Sequence, residues 1–309
     1  MFKKKKQSEA QPAEETSEVE LAAEEKKPVK KTKKKRKKKK GSWTTWLLIF
    51  IFLVGMGIML YPTFSDWWNS RVQSRAINNY SAALDNLTEE EHQRILQEAE
   101  DYNERLWNTP GAFYEPSKVE GYNEVLNVDG TGIMGYIDIE KINVHLPIYH
   151  STTESVLQIA VGHLEGSSLP VGGATTHAVL SAHRGLPSAK LFSDLDQMEI
   201  GDTFTITVLD QVLTYQVDQI RIVLPYELDD LQIENGKDYC TLQTCTPYGI
   251  NTHRMLVRGV RIETIQKSEQ VVVKSEAKAI DSAVVIPLAA MPILLVLLIA
   301  LLVKYRKKK

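Results

Sequence analysis

Two long stretches of this 309-residue chain carry no charged residue, and between them the apolar positions recur in two different rhythms. The first uncharged stretch lies between Gly41 and Ser65. Its segment from Trp43 to Leu60 (WTTWLLIFIFLVGMGIML) is long enough, as a helix, to cross a hydrocarbon layer of roughly 30 Å. Trp43 and Trp46 at one end and Tyr61 at the other suit the interfacial belts where amphipathic rings settle. The second stretch runs from Ser282 to Val303 and contains Pro287 and Pro292, which spanning helices tolerate better than soluble ones. Buried core helices would also be apolar, but length and basic flanks favour two transmembrane helices, over 43–61 and 282–303.

From Asn69 to Trp107 the rhythm is helical. Val72, Ala76, Ile77, Tyr80, Ala83, Leu84 and Leu87 recur at spacings of three and four and predict an amphipathic helix. Thr88 with Glu91 three residues on is a capping-box pattern that opens a second helix, with Ile95, Leu96, Ala99, Tyr102 and Leu106 on its apolar face. His92 falls among Glu and Gln, on the side expected to face solvent. After Gly132 the period shortens to that of strands. Segments 133–139, 142–149, 177–183, 203–209, 213–223, 239–245 and 254–263 are rich in β-branched and aromatic residues and are separated by Gly, Pro and Asp. Ser155 to Ile159 and Leu191 to Leu195 are short enough for single helical turns. Seven or eight short strands in about 130 residues predict a closed or nearly closed barrel. The fold class is therefore mainly β, with an N-terminal two-helix region.

Charge turns this pattern into a topology. Residues 1–40 hold 16 Lys/Arg against 7 Glu, residues 41–303 hold 16 against 32 Asp/Glu, and 304–309 add five more Lys/Arg, so a formal net charge of −2 conceals three blocks of alternating sign. Basic clusters abut both uncharged stretches, which places both termini in the cytoplasm and residues 66–281 outside. An uncleaved anchor fits the first stretch better than a signal peptide, because bulky Tyr61-Pro62-Thr63-Phe64 follows it instead of a small-residue cleavage site. The expected layout is a disordered basic tail over 1–40, the first span over 43–61 and an extracellular helical region over 66–131. A barrel over 132–264, a stalk over 265–281, the second span over 282–303 and a basic tail over 304–309 complete it. The acidic outer part argues against a nucleic-acid partner, and the basic run beside the first span suits anionic headgroups.

The two cysteines, Cys240 and Cys245, lie five positions apart in one predicted strand. Their side chains then face opposite sides, about 16 Å apart, too far for a disulfide. Cys240 reads as a small core residue. Cys245 closes the strand before Thr246-Pro247-Tyr248-Gly249, where a nucleophile would have a rigid element behind it and access in front. A free thiol titrates near about 8.5 and an imidazole near about 6.5, so a useful thiolate at neutral pH calls for a neighbouring cation.

Three segments then resemble one family, the sortases, cysteine transpeptidases of Gram-positive surfaces. Thr241-Leu242-Gln243-Thr244-Cys245 resembles their TLxTC signature. Ala182-His183-Arg184-Gly185-Leu186-Pro187, followed by Leu191-Phe192, resembles the segment of the catalytic histidine, and Thr246 to Gly259 resembles the one with the essential arginine. With the N-terminal helices and the second span, the resemblance extends to class C, pilus-assembling sortases and implies an eight-stranded β-barrel. It implies that Cys245 attacks the carbonyl of an LPxTG-like sorting signal, that His183 serves as acid and then base, and that Arg254 donates to substrate or oxyanion. The thioacyl-enzyme would pass to a Lys amine of a neighbouring pilin subunit. No cofactor and no metal are expected, since neither HExxH nor CxxC spacing occurs.

Some alternatives stay open. His177 is six residues before His183 and would share its strand face; Arg184 could stand in for Arg254; Arg258 lies on the same strand face as Arg254; His253 is expected on the opposite side. Pilus sortases commonly carry an Asp-Pro-aromatic lid, whereas this chain has Asn108 to Pro116 (NTPGAFYEP) without Asp-Pro, so Phe113, Tyr114 and Glu115 are the candidate lid residues. The rival functions are a housekeeping-type sortase that attaches surface proteins to cell-wall precursor, and a non-enzymatic membrane-tethered adhesin. A papain-like hydrolase fits less well, because its cysteine begins a helix.

Overall fold

The computed structural model describes residues 43–264, together with 296, 297, 299, 300 and 304. The predicted tail 1–40 and stalk 265–281 lie outside the described residues, as do nearly all of the second span and the last basic tail. Helix α1 (Trp43–Leu84) is followed by α2 (Glu89–Asn108), strands β1 (Ile133–Ile139) and β2 (Val144–His150), the short α3 (Glu154–Leu157) and β3 (Val161–His163). Strands β4 (Thr176–Ser181), β5 (Thr203–Val208), β6 (Gln211–Val223), β7 (Asp238–Thr246) and β8 (His253–Ile262) complete the fold. The strands close a barrel in the order β1-β2-β3-β4-β7-β8-β6-β5. The β2–β3 and β4–β7 pairs are parallel and the others antiparallel.

The span and the first amphipathic helix, predicted as separate elements, are one helix of 42 residues that runs through Pro62. The polar residue best suited to cap a new helix there, Asp66, is engaged elsewhere: its Oδ1 accepts from the backbone N–H of Lys190 at 2.8 Å. Trp46–Leu84 is long and apolar enough, by length and composition, to cross a membrane, and it is the only such helix among the described residues. No side chain described between Trp46 and Thr63 is buried.

Further along α1 the buried stripe is Gln73, Ile77 and Tyr80, so Val72, expected on it, is exposed instead. Gln73 takes the inner position because its amide donates to the carbonyl of Ile159 at 2.6 Å. Tyr80 is fully buried; its hydroxyl donates to the carbonyl of Met134 and accepts from the N–H of Leu209, each at 2.9 Å. The capping box of α2 is present, with Thr88 and Glu91 each satisfying the other's backbone N–H. His92 is not a solvent-facing residue: its Nε2 lies 3.2 Å from the carbonyl of Leu84 and so closes the turn between the helices.

The barrel interior holds Ile137, Ile148, Val161, Leu180, Ile206, Leu242 and Val257, and Ala99, Tyr102 and Leu106 of α2 join the same cluster. β3 escaped the sequence pattern because three residues centred on Gly162 offer no alternation to read. A second, smaller cluster joins Val179 of β4, Val223 of β6 and Leu256 of β8 to Leu231; the strand neighbours of Val179 and Leu256 belong to the interior cluster, so this one covers part of the outer wall.

Candidate active site

The site is built on β4, β7 and β8, which lie side by side in the barrel. Residues 240 and 242 of β7 point inward, so Cys245, at odd spacing from both, belongs to the outer face. Cys240 is completely buried, and burial, with Asp238 adding to it, pushes its thiol well above the ordinary range, which makes it inert. Cys245 is partly exposed; both thiols are free. Directly across the antiparallel β7–β8 ladder, Cys245 pairs with Arg254.

His183 comes from the other side. The parallel β4–β7 register ends with Ser181 opposite Gln243, and two further bonds extend it: Ala182 N–H donates to the carbonyl of Gln243 at 3.1 Å, and Thr244 Oγ1 donates to the carbonyl of Ala182 at 2.8 Å. Two residues past Ser181, His183 is level with Cys245. Its carbonyl accepts from the N–H of buried Phe192 at 3.1 Å, which ties the loop back onto the core. The structure therefore brings Cys245, His183 and Arg254 to one end of three adjacent strands.

Sequence patterning missed a fourth group. Glu154, at the start of α3, sets Oε2 3.5 Å from His183 Nε2, too long for a good hydrogen bond but close enough for an ion pair with an imidazolium. No hydrogen-bond partner meets Nε2 at bonding geometry among the described residues. The Gln158 amide donates to Glu154 Oε1 at 2.6 Å, and this bond first, with His183 adding to it, holds the Glu154 carboxyl below its ordinary range. Nothing in the sequence flags Glu154, because the contact crosses 29 positions and its helix is one turn long.

The alternatives sort themselves by their contacts. His177 lies within β4, six residues before His183, but its contacts differ. His177 is buried, between the carbonyl of Gln232 at 2.9 Å and Thr241 Oγ1 at 2.7 Å. Burial lowers its pKa and keeps it neutral. Arg184 is ion-paired with Asp196, and Arg258 with Asp218 at 2.8 Å and Glu234 at 3.6 Å. His253 Nδ1 is 2.9 Å from Thr252 Oγ1. Arg254 donates only to the nearby carbonyls of His253 at 3.2 Å and Asn251 at 3.4 Å, and among the described residues no carboxylate pairs with it. Its charge is left for whatever occupies the site.

The 113–115 segment divides. Phe113 packs on the outer cluster with Val223 and Leu256, which pair with Arg254 and Gln243 respectively, so it covers the same barrel face as Cys245. The Phe113 carbonyl fits only because residue 166 is glycine: a Cβ there would come within 2.6 Å of it. Tyr114 is exposed, and its hydroxyl accepts from Gln232 Nε2 at 3.4 Å. Glu115 pairs with Lys118 at 3.2 Å instead of turning to the site. A cavity of about 190 Å³ lies beside the segment, lined among others by Leu106, Phe113, Gly166 and Gln232; Cys245, His183 and Arg254 do not line it.

Residues 137–262 match the family model described as Sortase domain. Sortase D of Bacillus subtilis (strain 168) is 28% identical over 131 residues, 41% of this chain; the match spans 63% of that protein, less than two thirds of its length. Among solved structures, sortase C1 of Streptococcus agalactiae is 51% identical, with a TM-score of 0.57, covering 62% of this chain and 99% of that one. Sortase C of Clostridium perfringens, solved with the C-terminal cell wall sorting motif, is 43% identical with a TM-score of 0.55, covering 62% and 100%.

Proposed function

Because the chain belongs to the sortase family of cysteine transpeptidases, we propose that Cys245 is its nucleophile and that it joins pilin subunits through an LPxTG-like sorting signal. The carrying observation is the cross-strand pair of a partly exposed thiol with an arginine that has no carboxylate beside it. In this scheme the Cys245 thiolate attacks the threonyl carbonyl carbon, and the oxyanion accepts hydrogen bonds from Arg254. His183, as imidazolium, gives its proton to the leaving glycyl amine, and a thioacyl-enzyme remains. The amine of an acceptor Lys then attacks the thioester, His183 takes up its proton, and the thiolate leaves as the isopeptide bond forms.

The pilus role is favoured by the class C neighbours at 43–51% identity, one of them solved with a cell wall sorting motif. A housekeeping role is the second reading, favoured by the sortase A and D relatives at 28–30% identity. Lys-linked multimers support the first and a wall-peptide adduct the second. In this reading the protein is an integral membrane protein with both termini cytoplasmic and the barrel outside, and Phe113 serves as the lid's aromatic contact. The direct test incubates the detergent-solubilised full chain with an LPxTG peptide and looks for an acyl adduct on Cys245 by mass spectrometry. Cleavage without that adduct, or cleavage that survives Cys245→Ala, defeats the proposal.

A further inference from the structure

Helix α1 passes without interruption from its uncharged segment into the part that docks on the barrel, and its polar anchors come in a fixed sequence. Asp66 holds the N–H of Lys190, and Asn69 Nδ2 donates to the carbonyl of Ser188, each at 2.8 Å. Gln73 then reaches Ile159, just past the helix that carries Glu154, and Tyr80 reaches Met134 and Leu209. At 1.5 Å per residue these anchors stand roughly 3, 8, 14 and 24 Å along the axis from Phe64. The first two hold the loop that follows His183. The barrel therefore hangs from α1 with the His183 end nearest the apolar segment.

The β7–β8 turn shares that end. Gly185 adopts φ +79°, and a Cβ there would lie 3.0 Å from the Tyr248 ring, so this ring packs directly on the His183 loop. Tyr248 and Ile250 are 62% and 67% exposed, which leaves apolar surface at the mouth of the site. At the same level of α1, Trp67 and Trp68 are exposed, and the Arg71 guanidinium lies 4.4 Å from the Trp67 ring, the kind of aromatic and cationic mixture that settles among headgroups.

We propose that α1 acts as a ruler that holds the Cys245–His183 end of the barrel against the face of the lipid bilayer, so that the site takes peptide bonds presented close to the headgroups. This rests on the proposed function, with Cys245 as nucleophile and the uncharged half of α1 as a membrane span. A signal joined directly to its own membrane anchor presents its bond at that height, and sharing the same plane raises its effective concentration at Cys245.

The test uses the full chain in vesicles of phosphatidylglycerol and phosphatidylethanolamine. A donor fluorophore sits on Cys245, the other cysteine being buried, and acceptors sit on lipid headgroups. The expected separation is on the order of 10–20 Å, and a helical insertion of roughly 11 residues between Phe64 and Ser65, close to three whole turns, lengthens it by about 16 Å. On unlabelled protein the same insertion slows cleavage of a bilayer-anchored LPxTG peptide about tenfold or more and leaves a soluble LPxTG peptide cleaved at its original rate. A native separation beyond about 40 Å, or an insertion that leaves the separation or the anchored-peptide rate unchanged, overturns the ruler. Failure of both proteins on the soluble peptide counts instead against the transpeptidase reading, and the separation still decides the ruler.

Discussion

Among the described residues Arg254 has no ion pair with a carboxylate, in contrast to three other arginines of the barrel. Arg184, Arg221 and Arg258 are each neutralised by an aspartate. If Arg254 stabilises an oxyanion through its planar fork, Arg254→Lys is expected to lose about as much kcat as Arg254→Ala, on the order of 10²-fold, in peptide-cleavage assays. Rescue by lysine would mean that only the charge matters. If Glu154 acts through His183, Glu154→Gln is expected to lower kcat about three- to tenfold at unchanged KM, and Gln158→Ala to do so more weakly. An altered KM with normal kcat would place Glu154 on the substrate instead. Cys245, His183 and Arg254 were legible because each sits inside a recognisable string of residues. Glu154 was not, since its role exists only once α3 and the His183 loop are folded together. The buried histidines make a separate prediction. Burial lowers the pKa of His163 from 6.5 to about 4. Between those values the unfolded chain binds more protons than the fold, so stability falls as pH drops through that window, by roughly 3 kcal/mol in all. Denaturation midpoints measured from pH 7 to 4.5 are expected to fall less steeply in His163→Gln than in the parent.

At the scale of elements, strands with clean alternation were readable almost to the residue; β1 coincides with its predicted span. β3 was invisible because its pairing with β2 and β4, not its own three residues, makes it a strand. The division of α1 into a span and a separate helix failed for a related reason. The span was read from hydropathy up to residue 61 and the next helix from periodicity beginning at Asn69, and neither signal shows that the residues between them continue one helix. Tyr80 is the central rivet between α1 and the barrel. Tyr80→Phe leaves the Leu209 N–H and the Met134 carbonyl short of a partner in a dry contact, and is expected to cost about 1–3 kcal/mol in chemical denaturation. An unaffected midpoint would show that the helix adds little to the barrel's stability.

For the whole molecule, the net charge of −2 belongs to no single region. The stretch 41–303, with 16 Lys/Arg against 32 Asp/Glu, carries the acidity of the barrel, while the first 40 residues are strongly basic. If the acceptor is a Lys side chain, as proposed, an acidic enzyme gains from long-range attraction. Transfer to a basic acceptor peptide is therefore expected to slow several-fold as ionic strength rises from about 0.05 to 0.5 M, with hydrolysis of the same signal nearly unaffected. Equal salt sensitivity of the two would remove this role for the charge. Order of assembly follows from the same strand register that builds the site. Cys245 and Arg254 face each other across a hairpin whose strands are joined by the short turn after Thr246, so their pairing closes only a small loop. His183 meets that hairpin through the parallel β4–β7 pair, whose partners stand 62 positions apart in the chain, and loop closure over that distance is slower. On this topology Cys245 and Arg254 are expected to pair before His183 arrives, so acyl transfer through these three groups would wait for the barrel to close.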